Sequence, residues 1–238
     1  MKENLADNVK ESFSMAKKAN NAPSDRARLR RANHKAHYDQ ATIAAILDAQ
    51  PLAHLGVVMD GAPMVFPTMH WREGAHVYIH GSRAGRKMKA AAGAPCCLTV
   101  SILDAFKLAR SAFHHSVNFR SVMIHATPHV VPEEEKEARL LGMIEAYFPG
   151  RTELLRPMTE TELKITTVLS FSLDNASAKI GTGGVGDEEE DYALPIWAGV
   201  VPVETRAGEI IPDPRNLPGV RMPENVLPAF LRARLDAA

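Results

Sequence analysis

Apolar and polar residues alternate in three successive runs, 52–59, 64–71 and 75–80. A period of two places one set of side chains on each face of a strand. Asp60-Gly61 separates the first two runs and Glu73-Gly74 separates the next two, and an Asp-Gly pair between apolar runs signals a hairpin. Residues 96–103, 117–126 (running on through Pro128 to Val131), 166–173 and 196–203 read as further strands, the last carrying Pro202 at an edge or terminus. Helical spacing occurs from Asp39 to Gln50, with Ile43, Ile46 and Leu47 on one stripe, and over 83–92 and 133–147. Thr159 with Glu162 resembles a capping box for a short helix, and residues 226–235 form a last apolar patch suited to a docking helix. The expected fold is therefore mainly β: a closed or nearly closed antiparallel barrel of six to seven strands with peripheral short helices.

The 238 residues divide into an N-terminal arm, 1–25, a barrel, 26–205, and a C-terminal extension, 206–238. Ser24-Asp25 could cap a short basic helix carrying Arg26, Arg28, Arg30 and Arg31. Zero formal net charge and a pI near 7.2 give no basic footprint for nucleic acid. No apolar run approaches the roughly 20 residues that cross a bilayer, and no signal-peptide pattern is seen, so a cytoplasmic location is expected. Cys96 and Cys97 are adjacent, point to opposite faces of a strand, and are too few for a disulfide framework or a tetrahedral zinc site.

The stretch 75–89 carries the main chemical signal. A strand runs through Gly81-Ser82 into a helix that begins with Arg86-Lys87. Free backbone N–H groups, the positive helix end and two cations would favour an anion such as phosphate there. Arg120 sits mid-strand in an apolar run, where an unpaired buried charge is costly; it needs either an anionic ligand or a salt bridge. Gly181-Thr182-Gly183-Gly184-Val185-Gly186 satisfies G-x-G-x-x-G, but the five carboxylates of 187–191 follow at once and would repel a pyrophosphate, so a loop is expected. Histidines 76, 80, 114, 115 and 125 include no helical metal-binding spacing, and no metal site is expected.

Arg30-Arg31, Tyr38-Asp39, Ile46-Leu47, Gly61-x-Pro63, Pro67-Thr68, Tyr78-Ile79-His80-Gly81-Ser82, Gly85-Arg86-Lys87, Asn118-Phe119-Arg120-Ser121-Val122 and Trp197-Ala198-Gly199-Val200 occur in this order. Together they resemble the pyridoxamine 5'-phosphate oxidase-like flavoproteins, in particular their nitroimidazole-reductase-like branch. The resemblance covers about residues 26–203 and implies an FMN-binding split barrel, a homodimer, and flavin sites at the subunit interface. It implies that Arg86 and Lys87 hold the FMN phosphate with help from Arg120 and Ser121. Pro67, Thr68, Met69 and His70 would run alongside the flavin ring, with His80 and Ser82 on the neighbouring strand. Asn118 completes the set, and Trp197 would come from the second subunit. Similar proteins often carry an arginine shortly after the position of Lys179; here Ile180-Gly181 follow and that charge is absent.

On this reading the protein is an FMN-dependent oxidoreductase passing two electrons to a small acceptor such as a nitroaromatic or a quinone. His70 and His80 are the candidate proton suppliers, because histidine titrates near neutrality. Three alternatives stand beside it: a pyridoxamine 5'-phosphate oxidase-like oxidase, a haem-binding relative, and a non-enzymatic flavin-binding protein. The first would need a second basic cluster for the substrate phosphate, and 51–203 shows none.

Overall fold

The computed structural model of the protein describes residues 22–223 and 226–235. The expected arm therefore lies mostly outside the described residues. Among the described residues there are ten strands: β1 (Ala36–His37), β2 (Leu52–Met59), β3 (Ala62–Glu73), β4 (His76–Ser82), β5 (Cys96–Leu108), β6 (Ser116–Ala126), β7 (His129–Val130), β8 (Thr166–Ser172), β9 (Ala176–Gly181) and β10 (Gly199–Pro202). Their order is β1-β9-β6-β5-β2-β3-β4-β8-β7, with β10 added to β5, and every pairing is antiparallel. β8 and β9 are consecutive in the chain yet pair at opposite ends of this order. The corner at 173–175 thus brings the sheet round on itself, and one core of Ile79, Leu98, Ile124, Phe171 and Ala178 fills the inside.

Local chemistry explains most of these elements. Asp60 and Gly61 both take positive φ (52° and 77°), the two-residue turn that matches strand twist. Along β2, Ala53, Leu55 and Val57 are buried while Leu52, His54 and Val58 are exposed, so the alternation points one face inward. Helix α1 (Gln40–Asp48) starts where the Asp39 carboxylate accepts from the Thr42 N–H at 2.8 Å, and it buries Ile43, Ile46 and Leu47. Helix α2 (Arg86–Ala91) buries Met88 and Ala91. Helix α3 (Glu133–Tyr147) covers a second cluster, in which Trp71, Tyr78 and Val168 from the sheet meet Leu140 and Tyr147. Helix α4 (Glu160–Ile165) carries the Thr159/Glu162 capping box, and helix α5 (Ala229–Leu235) sets Phe230 against the second cluster.

Three expectations are corrected, and one strand is added. Residues 24–31 form turns rather than a basic helix, with the Ser24 hydroxyl accepting from the Ala27 N–H and donating to Asn175. The fifth strand ends at Ala126, and His129–Val130 pairs with β8 instead of extending it. The last strand begins at Gly199, leaving Trp197 outside it. β9 is a strand that apolar alternation could not reveal, since Ala176-Ser177-Ala178-Lys179 is small and mixed. Pairing with β6 makes it one.

The sheet splits beside β3. Only His70 to Glu73 pair with β4, whereas Ala62 to Met69 pair with β2 alone. β4 meanwhile continues along β8 as far as Ser82. The free edge of β3 holds Pro63 and Pro67, and proline, lacking an N–H, suits an edge. Truncating the fully buried ring in Phe171→Ala should lower stability by about 3–5 kcal/mol, and Asp39→Ala, which removes only a helix cap, by about 1 kcal/mol. Urea unfolding midpoints measure both.

Candidate functional site

Where β3 parts from β4, Thr68 on β3 and His80 on β4 both lie close to Lys87 of α2. Lys87, in the first turn of α2, extends its half-buried side chain so that Nζ donates to Thr68 Oγ1 at 2.9 Å. Among the described residues no carboxylate pairs with it. Burial pushes the Lys87 pKa below its ordinary value. His80 lies on the neighbouring strand. Burial, and then the Lys87 charge, lower its pKa, so the neutral imidazole is favoured. Its Nδ1 is buried without a hydrogen-bond partner among the described residues, and its ring lies 6.0 Å from that of Trp71. A cation without a counter-charge and an imidazole with an unpartnered nitrogen thus stand close together.

The turn before α2 is close-packed: the Gly85 N–H donates to Ser82 O at 2.8 Å, and a Cβ on Gly85 would stand 2.9 Å from that same oxygen. Helix α2 has only six residues, so the helix-end attraction expected from sequence is slight and the anion argument rests on Lys87. Ser82 is exposed at the end of β4.

The remaining expected residues are placed differently. Arg86 is exposed and reaches toward Asp60 in the β2–β3 turn, at 3.7 Å. Pro67 and Met69 point outward from the barrel, while Thr68 and His70 point in. His70 is 1% exposed; its Nε2 lies 2.8 Å from Gln50 O, and its backbone oxygen accepts from the Tyr147 hydroxyl. Burial lowers its pKa against the opposing pull of Gln50 O and Asp48, so it is a neutral structural group in this geometry. Arg120 makes a two-pronged pair with Asp104, at 3.0 Å from Nε and 2.7 Å from Nη2, which satisfies its charge with a salt bridge. Ser121 donates to Lys179 O at 3.4 Å and, as the next residue on β6, faces the opposite side of the strand. Asn118 Nδ2 donates to Gly183 O at 2.9 Å, and Trp197 is 71% exposed. The described contacts bring Thr68, His80 and Lys87 together and leave Arg86, Arg120 and Ser121 apart from them.

Sequence reasoning missed Asp104 and Asp187. Asp104 stands at the bulge in β5, between Leu103 and Ala105, which re-aims it at Arg120. Asp187 belongs to the acidic stretch read as a loop, yet its side chain is fully covered. It accepts from the Arg110 backbone N–H and from Arg110 Nη1, both at 3.0 Å. Burial alone would raise its pKa, but the Arg110 bonds outweigh this and the net shift is downward. Gly183 to Asp187 lead into no helix that could meet a pyrophosphate. His114, Asp187 and Asp191 bring possible metal-ligand atoms within 4.8 Å of one another, but Arg110 already occupies the carboxylate of Asp187 with a cation.

Residues 39–180 match the family described as pyridoxamine 5'-phosphate oxidase. The chain belongs to the pyridoxamine 5'-phosphate oxidase family. Among solved members of similar fold, a flavocytochrome from Azotobacter vinelandii is 48% identical, with 86% of this chain and 96% of that one covered and a TM-score of 0.83. An FAD- and haem-binding protein from Mycobacterium smegmatis is 35% identical, with 81% and 95% covered and a TM-score of 0.78. A putative 5-nitroimidazole antibiotic resistance protein from Bacteroides thetaiotaomicron VPI-5482, 18% identical, covers 71% of this chain and 90% of its own, with a TM-score of 0.51; it shares the fold. No curated protein matches the chain. Within the pyridoxamine 5'-phosphate oxidase family fold, the grouping of Thr68, His80 and Lys87 beside β3 is the candidate site.

His70 and His80 both titrate below their ordinary value of 6.5 in the folded state. As pH drops below about 6.5 the unfolded chain takes up protons that the folded chain resists, so stability should fall with acidification. Melting temperatures from pH 7 to pH 5 measure the slope, and His80→Gln should flatten it.

Proposed function

We propose that this protein is a flavin-binding redox protein whose flavin phosphate meets Lys87 and Thr68. The observation that carries this reading is the half-buried Lys87 ammonium, which donates to one hydroxyl and has no carboxylate partner among the described residues. A flavin phosphate brings about −1.5 to −2 charges next to that cation. The phosphate beside the ribityl chain is common to FMN and FAD, so the chemistry of this grouping suits either form. Similarity to a relative named for FAD, at 35% identity, favours the dinucleotide over the FMN expected from sequence.

A bound flavin supplies two-electron chemistry toward a small acceptor such as a quinone or nitroaromatic. The chain's own contribution is to hold the phosphate at Lys87, exclude water with α2, and present a neutral imidazole at His80. A neutral imidazole can take up a proton, and with its pKa lowered it gives that proton up again readily. His80, less buried than the 1% exposed His70, is therefore the better proton-handling candidate; Nδ1 of each lacks a partner among the described residues.

A second cofactor, haem, is favoured by a specific pair of facts. The Azotobacter vinelandii and Mycobacterium smegmatis relatives are named as a flavocytochrome and for haem, and His70 and His80 each carry a buried Nδ1 without a partner among the described residues. Either histidine would need its nitrogen uncovered to serve as a haem ligand. An oxidoreductase role follows from this cofactor reading.

A homodimer is part of the proposal. Val58 and Val65 near the β2–β3 turn are 66% and 64% exposed, and Trp197 is 71% exposed, an apolar surface suited to a second copy. No helix among the described residues is long and apolar enough to cross a membrane. Cys96 and Cys97 are free thiols, which suits the reducing cytoplasm we propose as the location.

The absorbance spectrum of the purified protein, with mass analysis of the compound released by heat, tests the assignment. A flavin spectrum with FAD released is expected, and a haemin titration should add a Soret band; a colourless protein that takes up neither overturns the reading. Lys87→Met should weaken flavin binding about tenfold or more, the loss of a charge-assisted bond, whereas Arg86→Ala, at an exposed pair, should change it less than about threefold. Light scattering should return twice the 26.0 kDa chain mass.

A further inference from the structure

From Val203 to Met222 every residue is exposed and belongs to no strand or helix. The segment is nonetheless apolar in part: Ile210, Ile211, Leu217, Val220 and Met222 all face solvent, Ile211 at 88% and Leu217 at 74% exposure. Exposed apolar side chains gathered on one segment mark a surface that meets a partner.

Both ends of this strap are fastened. β10 pairs with residues 105–108 of β5, and the Val203 N–H donates to Asp104 O at 2.9 Å. At the far end Phe230 of α5 packs on the second core cluster and closes one side of a cavity of about 540 Å³ whose walls include Trp71 and Tyr147. From Glu204 to Met222, among the described residues, hydrogen bonds stay within the strap. The Asn216 N–H donates to Asp213 O at 3.1 Å, the Arg215 N–H to the Asp213 carboxylate at 2.8 Å, and the Val220 N–H to Leu217 O at 3.2 Å. Pro218 and Gly219, the latter at φ 85°, make Leu217–Val220 a tight turn, and Pro212 and Pro214 fix φ before it. The strap thus holds its own shape without support from the barrel, which leaves little ordering entropy to lose on docking.

Charge narrows the partner. Glu204, Glu209 and Asp213 balance Arg206, Arg215 and Arg221, and Glu204–Arg206 and Asp213–Arg215 pair within the strap at 3.0 and 3.4 Å. A strap of zero net charge draws neither an acidic surface, such as nucleic acid or anionic lipid, nor a basic one. Apolar contact remains. The base of the strap runs into exposed apolar residues of the body: Phe106 on β5, which pairs with Val201, and Ile196 and Trp197 ahead of β10. The 20 residues of 203–222 also approach the roughly 20–30 a side of a standard protein interface.

We propose that the strap of residues 203–222 clasps a second copy of this chain, laying Ile211 and Leu217 on the partner's barrel while the partner's strap does the same in return, a self-complementary exchange about a twofold axis. The homodimer put forward above is the premise; its grip falls to a segment outside the barrel.

Photo-cross-linking of the full-length protein tests the contact. With benzoylphenylalanine in place of Leu217, irradiation should yield a species of twice the 26.0 kDa chain mass. Ile211→Ser combined with Leu217→Ser, at positions exposed in the single chain, should raise the dimer dissociation constant at least about tenfold in sedimentation runs, since each copy loses two large aliphatic contacts. Its circular dichroism spectrum should match that of the unaltered protein. A dimer that cross-links only within each chain, or whose dissociation constant the double variant leaves unmoved, overturns the clasp and spares the homodimer. A chain that stays monomeric at every concentration overturns both.

Discussion

The parting of β3 from β4 after His70 is the constraint on which the site depends. A strand whose outer edge is unpaired must satisfy or remove its donors, and β3 does so with Pro63 and Pro67 on that edge. The parting frees Thr68 from a cross-strand neighbour on β4 and opens the space beside it. Lys87 closes that space from α2, and its bond to Thr68 spans 19 residues of sequence.

Three arginines show how the same charge takes a different role when a carboxylate is at hand. Arg72, Arg110 and Arg120 each find an aspartate, at 2.6, 3.0 and 2.7 Å. Each pair neutralises itself and ties two elements: α1 to β3, the end of β5 to the loop after β9, and β5 to β6. Lys87 has only a hydroxyl. An ammonium whose pKa is pulled down by burial, with no counter-charge among the described residues, is poised for a ligand anion in a way the paired guanidiniums are not.

The second core cluster links the candidate site to the cavity beside α5. Trp71 stacks on Tyr78, lies near His80 and walls the cavity, all from one buried position. Tyr147 reinforces the arrangement by donating to the backbone of His70 across 77 residues. Helix α3 therefore does more than cover the sheet: it fixes the strand from which Thr68 and His70 project.

Local patterns in the sequence were enough for the β2–β3–β4 meander, because Asp60-Gly61 dictates a turn and two-residue alternation dictates faces. They were enough for α1, α3 and the Thr159 capping box, and for attention to Lys87 beside Gly85. The strand β9 was not legible, since Ala176-Ser177-Ala178-Lys179 alternates with residues too small and in too short a run to mark a strand, and pairing with β6 makes it one. Nor were the partners of Arg120 and Arg110: Asp104 is aimed by a bulge, and Asp187 is buried from within an acidic run that reads as solvated. Periodicity and turn chemistry act over a few residues, so the chain alone determines them. Which cation meets a carboxylate and which is left open for a ligand depends on groups brought together from distant parts of the chain, and only the closed barrel decides that.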